Sequence, residues 1–208
     1  MRTPAQRLAV GGIEPFTTID FPGHLSAVIF CQGCPWRCTY CHNAHLQPFG
    51  GESIPWPEVL SFLENRIGFL EAVVFSGGEP TAQSALPTAI HEVREMGFLI
   101  GLHTAGMFPE TLARILPTLD WVGLDIKAPF DTRHDTLTQK PDSWQAVKES
   151  LRHVVASGVK YQLRTTRDPT HLDEAACKAI DKQLDSMGAQ PTTWQTWREP
   201  VAVASGVF

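Results

Sequence analysis

The chain has 208 residues, 43% of them hydrophobic and 19% charged, which is enough for one substantial buried core of ordinary globular composition. A formal net charge of -5 argues against a protein that works by gripping nucleic-acid phosphates, though a small basic pocket is compatible with it. No apolar run approaches the ~20 residues of a membrane span, and the opening MRTPAQRLAVGGIEPF lacks a signal-peptide apolar segment. The expectation is a cytoplasmic protein with no membrane or nucleic-acid partner, in a compartment where thiols stay reduced.

Residues 1–24 read as a leader. After them, short apolar runs alternate with helical stretches. Strands are predicted at 25–31 (LSAVIFC), 71–76 (EAVVFS), 98–104 (FLIGLHT), 121–127 (WVGLDIK), 159–165 (VKYQLRT) and, more weakly, 192–197 (TTWQTW). Helices are predicted at 56–67, 82–96, 109–117, 143–157 and 172–187. Pro55 and Pro57, Pro80, Pro109 and Pro141 mark the first four helix entries, with Ser143 as the N-cap of the fourth. Such alternation means βαβ units and a parallel sheet with right-handed crossovers. Six strands fit either an open Rossmann-like sheet or a partial barrel. The unusual polar residues decide for an α/β partial (β/α)6 barrel over 25–198, with a tail at 199–208. The cysteines, Ser76 to Glu79, His103 and Thr104, Asp125, Lys127 and Arg164 all fall at or past strand C-termini, the rim where barrels build active sites.

Four of the 5 cysteines lie between positions 31 and 41. In a reducing compartment a disulfide framework is excluded, and a metal or cluster leads. Structural zinc usually takes two ligand pairs separated by a longer loop, whereas Cys34, Cys38 and Cys41 form one CxxxCxxC run. Such a tight loop suits three corners of a 4Fe–4S cubane, leaving one iron open; a zinc knuckle is the competing reading. Cys31 is either a buried thiol at the end of the first strand or a fourth ligand that would turn the site into a plain electron carrier. The SGGEP run at 76–80 passes, on its own, as a strand-to-helix turn with Pro80 at the first helical position. Its two glycines would also let backbone approach a ligand closely. In WVGLDIK, the period of two puts Asp125 and Lys127 on one face, pointing into a barrel or forming an exposed ion pair. Arg164 is a rim contact or a surface salt bridge.

GCPWRCTYCHN (33–43) resembles the cluster loop of the radical S-adenosylmethionine superfamily, a CxxxCxxC run with an aromatic residue before the last cysteine. SGGEP resembles that superfamily's GGE motif. The resemblance implies that Cys34, Cys38 and Cys41 bind a 4Fe–4S cluster whose fourth iron is chelated by S-adenosylmethionine. It further implies that Tyr40 lies against the adenine and that the methionine ammonium meets a carboxylate or carbonyl of the Gly77-Gly78-Glu79 turn. Cofactor contacts are implied for His42, Thr104, Asp125, Lys127 and Arg164 as well. LDIK resembles a segment of glycyl-radical-enzyme activases. The leader, with Thr17-Thr18-Ile19-Asp20-Phe21-Pro22-Gly23, resembles the activating proteins of anaerobic ribonucleoside-triphosphate reductase, as does WQTWREP with Gln195 and Arg198. The implied activity is one-electron cleavage of S-adenosylmethionine and generation of a glycyl radical on a partner, the first choice being anaerobic ribonucleoside-triphosphate reductase. A reduced flavodoxin or ferredoxin would supply the electron. The alternatives are a pyruvate formate-lyase type partner, a radical enzyme acting on a small molecule, and the electron carrier with Cys31 as fourth ligand.

Overall fold

The computed structural model describes residues 8–168 and 170–197. Seven strands form one sheet in sequence order: β1 (Val10–Thr17), β2 (Ser26–Cys31), β3 (Ala72–Gly77), β4 (Leu99–Thr104), β5 (Trp121–Asp125), β6 (Lys160–Arg167) and β7 (Thr192–Thr196). Strands β2 to β7 are mutually parallel and are the six predicted runs; β1 pairs antiparallel with β2. The helices are α1 (Trp56–Glu64), α2 (Leu86–Glu95), α3 (Pro109–Ile115), α4 (Thr132–Thr138), α5 (Ser143–Ser157) and α6 (Glu174–Ser186).

Strand β1 comes from the stretch read as a leader. Its sequence, VGGIEPFT, carries two glycines and a proline, which suppress strand propensity. A proline is tolerable there because β1 is an edge strand, and the ladder shifts register between Glu14 and Thr17, around Pro15. Helix α4 was not expected, and its presence corrects the capping of α5. Asp142, in the left-handed region at φ 57°, precedes the helix without a side-chain cap. Ser143 is already helical, and its N–H and hydroxyl both donate to Asp135 Oδ1 at 2.9 Å. The predicted helix from 82 begins at Leu86; residues Pro80–Ala82 form a single 3-10 turn.

The two faces of the sheet divide by strand periodicity. Ile29, Phe75, Leu102, Leu124 and Leu163 pack outward with apolar residues of the helices, such as Leu63, Ile90, Leu112, Leu151 and Ile180. The other face holds a small apolar cluster of Phe21, Val28, Ala72, Val74 and Trp121. Nearer the strand C-termini the same face turns polar, with Ser76, His103, Asp125 and Arg164. In a flat sheet the five spacings from β2 to β7 would put those strands about 24 Å apart. Instead Phe30 of β2 and Gln195 of β7 line one cleft of about 630 Å³, so the sheet curls around it as a partial barrel. Among the described residues the ladder does not close, since β7 pairs only with β6. No helix among them is long and apolar enough to cross a membrane.

Phe21 stoppers the lower end of the curl. It is 4% exposed, with its ring 5.6 Å from that of Trp121 and 4.9 Å from that of His24. Gly101 leaves room for it: a Cβ there would stand 3.0 Å from both Phe21 Cδ2 and Val74 Cγ2. Phe21→Ala should therefore cost about 3–5 kcal/mol in denaturant unfolding. A loss below ~0.5 kcal/mol, the scale of an ordinary surface change, would show that this segment is no part of the core.

Candidate functional site

The cysteine loop leaves β2 and crosses the top of the curl. Its internal backbone bonding is sparse, the one such bond between its cysteines running from Cys41 N–H to Cys38 O at 3.2 Å. Clamps from outside give it shape. Gly33 N–H donates to Leu46 O at 2.7 Å and Cys34 N–H to Gln47 O at 3.0 Å. Arg37 N–H and Thr39 N–H donate to the carbonyls of Thr138 and Leu137 at 3.1 and 3.2 Å. Those carbonyls end α4, where a helix leaves acceptors without intrahelical partners. The unexpected helix is thus a cradle for the loop. Trp36, 4% exposed, completes the seam by packing edge-on against His134, ring centroids 5.5 Å apart.

Cys34, Cys38 and Cys41 are partly exposed and all line the cleft. Burial pushes the Cys34 thiol up to about 11 and raises Cys38 as well, so the loop asks for compensating positive charge before it holds thiolates. Among the described residues no three His, Cys, Asp or Glu side chains converge on a point suited to one metal ion. A cubane takes three thiols, each on a different iron. Three cysteines of one loop facing a common cleft are a donor set that fits it. Cys31 is wholly buried in the outward, helix-side core and does not line the cleft.

The double glycine serves the loop as much as any ligand. Gly78 N–H donates to Cys31 O at 2.8 Å and Glu79 N–H to Gly33 O at 2.9 Å. A Cβ on Gly78 would sit 2.3 Å from Gly33 O, and one on Gly77, whose φ is +108°, would sit 2.5 Å from Cys31 N. Of the two kinds of acceptor expected at this turn, a carboxylate or a carbonyl, the Glu79 carboxylate does not face the cleft. It is fully buried and absent from the cleft lining, and its carboxylate is already filled. Oε1 accepts from Thr81 N–H, Thr81 Oγ1 and Thr104 Oγ1 at 3.0, 2.5 and 2.7 Å, and Oε2 from Ala105 N–H at 2.9 Å. Burial raises its pKa against those four donors. Glu79 ties the turn after β3 to the end of β4.

The polar rim is a charge chain. Arg164 Nε and Nη2 donate to Asp125 Oδ1 at 3.0 and 2.8 Å, and Lys127 Nζ lies 3.4 Å from Oδ2. Burial alone would raise the Asp125 pKa, but Arg164 and Lys127 outweigh it and hold the carboxyl below its ordinary value. Lys127 also stands 5.7 Å over the ring of Tyr40. Arg164 Nη1 reaches His103 Nδ1 at 3.1 Å, and His103 Nε2 lies 2.9 Å from the Asp20 carbonyl. A carbonyl only accepts, so the imidazole proton is on Nε2 and Nδ1 receives Arg164. Burial, reinforced by Arg164, pulls His103 down to about 4 and keeps it neutral.

The cleft therefore brings together Tyr40, His42, Gly77, Gly78, Thr104, Asp125, Lys127 and Arg164 with the three cysteines. Asp125, Lys127 and Arg164 form no exposed surface pair; their side chains are 31%, 15% and 16% exposed and face the cleft. Gln195 lines it too, while Arg198 and the tail at 199–208 lie outside the described residues. Sequence reasoning did not assign Trp36, Met107 or Thr166 to the cleft, and no spacing signal marks them. Asp20 was quoted only as part of the leader. Its spacing from Thr17 was the available clue, since Thr17 Oγ1 donates to Asp20 Oδ2 at 2.7 Å and shapes the turn that meets His103.

The family model of the radical SAM superfamily matches residues 28–178. A provisionally named glycyl-radical enzyme activating enzyme of Methanocaldococcus jannaschii is 32% identical over 84% of this chain and 75% of its own. The pyruvate formate-lyase-activating enzyme of Clostridium pasteurianum is 32% identical over 79% of this chain and 70% of its own. Among solved structures, native anSMEcpe with bound AdoMet aligns with TM-score 0.65 at 15% identity over 85% of this chain. Streptococcus suis SuiB bound to S-adenosylmethionine aligns with TM-score 0.61 at 13% identity over 81%. These likenesses show the fold alone, and the chain spans only 52% and 38% of those two chains. The chain belongs to the radical SAM superfamily. It is accordingly a radical SAM enzyme with a 4Fe–4S cluster and S-adenosylmethionine as cofactors, and its curated kin are glycyl-radical-enzyme activases.

Two predictions follow from the geometry. Gly78→Ala should displace the cysteine loop through the Gly33 carbonyl and leave the anaerobically reconstituted protein with well under half the wild-type iron, its circular dichroism intact. Full iron in that variant would mean the contact is not needed. The second concerns pH. His103 and His134 are both pulled from an ordinary 6.5 to about 4, chiefly by burial. Between those values the unfolded chain binds more protons than the folded one, so stability should fall as pH drops from about 6.5 toward 4. Each histidine contributes up to roughly 3 kcal/mol to that loss. Denaturation midpoints across this range check it, and a flat profile would contradict neutral buried imidazoles.

Proposed function

We propose that this enzyme cleaves S-adenosylmethionine reductively in the cleft and generates a glycyl radical on a partner enzyme. The observation that supports the reading most is the meeting of the cysteine loop, the double-glycine turn and the Asp125–Lys127–Arg164 chain in one cleft on an unclosed sheet. A reduced cluster held by Cys34, Cys38 and Cys41 would supply the one electron that cleaves S-adenosylmethionine, the chemistry by which a hydrogen atom would be taken from a glycine Cα. The protein's part is to bind and orient. Lys127 and Arg164 offer positive charge to the methionine carboxylate, and backbone carbonyls of Gly77 and Gly78 offer acceptors to its ammonium. Asp125 accepts from ribose hydroxyls, Tyr40 gives the adenine a face, and Thr104 and His42 complete the rim. Glu79 acts one step back, by holding Thr104 and Ala105 in place.

A glycine carried on a protein loop needs an accessible cleft, and among the described residues the sheet leaves one unclosed. The leader motif from Thr17 to Gly23 and Gln195 favour anaerobic ribonucleoside-triphosphate reductase as the partner, with flavodoxin or ferredoxin as electron donor. The similarity to an enzyme named for pyruvate formate-lyase activation supports that enzyme class as the second choice. The electron-carrier reading needs Cys31 at the cluster, and Cys31 is fully buried and does not line the cleft that Cys34, Cys38 and Cys41 share.

The test uses anaerobically reconstituted protein, dithionite and S-adenosylmethionine. 5′-Deoxyadenosine should form, and adding purified ribonucleoside-triphosphate reductase should give a radical signal split in two by the glycine's one remaining α-hydrogen. A signal only with pyruvate formate-lyase would move the assignment to the second choice, and none with either would overturn it. Asp125→Ala removes the partner of two buried cations and should weaken S-adenosylmethionine binding about ten- to a hundredfold with the iron count unchanged. Normal affinity with a full cluster would place this chain of charges outside the cofactor site.

A further inference from the structure

We infer that His171 is a positioning residue for the cluster loop, holding the segment between its second and third cysteines through the hydroxyl of Thr39. The inference rests on Cys34, Cys38 and Cys41 being the cluster's ligands.

Strand β6 ends at Arg167 and α6 begins at Glu174. Between them Asp168, 6% exposed, gathers hydrogen bonds from Thr170, His171 and Leu172. Its Oδ1 accepts from Thr170 N–H and Oγ1 at 2.9 and 2.6 Å, and its Oδ2 from His171 Nδ1 at 2.8 Å. Its carbonyl accepts from His171 N–H and Leu172 N–H at 3.1 and 2.8 Å. Burial opposes the charge on Asp168, but these donors outweigh it and hold the carboxyl below its ordinary value. An ionised carboxylate only accepts, so Nδ1 directs a proton at Asp168 and Nε2 is the nitrogen that faces Thr39. Thr39 Oγ1 lies 3.3 Å from Nε2 across 132 residues of sequence, and a hydroxyl can donate or accept there.

Thr39 is then held twice, by its N–H on Leu137 O and by its side chain on His171. One hold comes from α4, the other from the turn before α6. Within the loop only the Cys41 N–H to Cys38 O bond joins two of the cysteines, so where that Cys38–Cys41 segment sits in the fold depends on outside clamps. A loop that must present three thiols to three corners of a cluster gains from being fixed in advance, because ordering it on binding costs backbone entropy. Partners one shell beyond the ligands typically change metal retention by about ten- to a hundredfold when removed. His171, fixed by Asp168, acts one bond further out, on Thr39 between two of the ligands.

The experiment follows iron release to a ferrous chelator from anaerobically reconstituted full-length protein. Thr39→Val and His171→Ala should each release iron about tenfold faster than wild type. Thr39→Ser, which keeps the hydroxyl, should return to the wild-type rate. The double variant Thr39→Val with His171→Ala should be no faster than either single one, since both remove the same bond. The resonance line shape of the reduced cluster should change in Thr39→Val and not in Thr39→Ser, which a general loss of stability would not produce. A wild-type release rate in Thr39→Val, or single effects that multiply in the double variant, would overturn the role of His171 and leave the cluster assignment standing. A wild-type protein that retains no iron would overturn both.

Discussion

The backbone contact between Gly78 and Gly33 is the constraint around which the site is built. It brings the turn after β3 to within a Cβ's clearance of the cysteine loop, with hydrogen bonds from Gly78 N–H and Glu79 N–H sealing the approach. Only a residue without a side chain fits there. Once the turn is placed, Glu79 points into the fold rather than into the cleft, and two of its four donors come from Thr104 and Ala105 at the end of β4, the other two from Thr81. The positions of the cluster loop and of the cofactor rim are thus linked through one buried carboxylate.

The cleft's electrostatics follow from the same strand ends. Asp125 bridges Arg164 and Lys127, two cations that would be costly to bury alone, and neutral His103 passes the chain on to the Asp20 carbonyl. Lys127 in turn covers Tyr40. These groups belong to β4, β5, β6 and the β1–β2 connection, so the rim is assembled only when the sheet curls. That explains why a segment with the look of a leader is integral to the fold: it supplies an edge strand, the Phe21 stopper and the carbonyl that orients His103.

Much of this was legible in the sequence, for physical reasons. Strands β2 to β5 are short apolar runs bounded by turn residues, and buried strands leave that signature regardless of partners, whereas β6 and the mostly exposed β7 carry it more weakly. The cysteine spacing and the Asp125–Lys127 alternation carry their meaning locally. What was hidden depends on contacts between distant segments. Strand β1 was masked by Gly11, Gly12 and Pro15, and α4, sequence TRHDTLT, offers a single large apolar residue and no helical period. The glycine pair was legible as a place of close approach, but not that the approaching group is the cysteine loop itself. Glu79 was read as facing the cofactor because nothing in SGGEP reveals that Thr81, Thr104 and Ala105 already fill its carboxylate. Ser143 was read as a cap because Asp135, which does the capping, sits on the helix that the pattern missed.

The central claim is that three cysteines hold a cluster with one iron left open to S-adenosylmethionine. Mössbauer spectra of the iron-57-loaded protein, recorded with and without S-adenosylmethionine, test this most directly. The account predicts that one iron in four changes its environment when the cofactor is added, while the other three keep their thiolate character. Four irons that all remain unchanged would mean the cluster is closed to the cofactor, and the assignment of this cleft would fail.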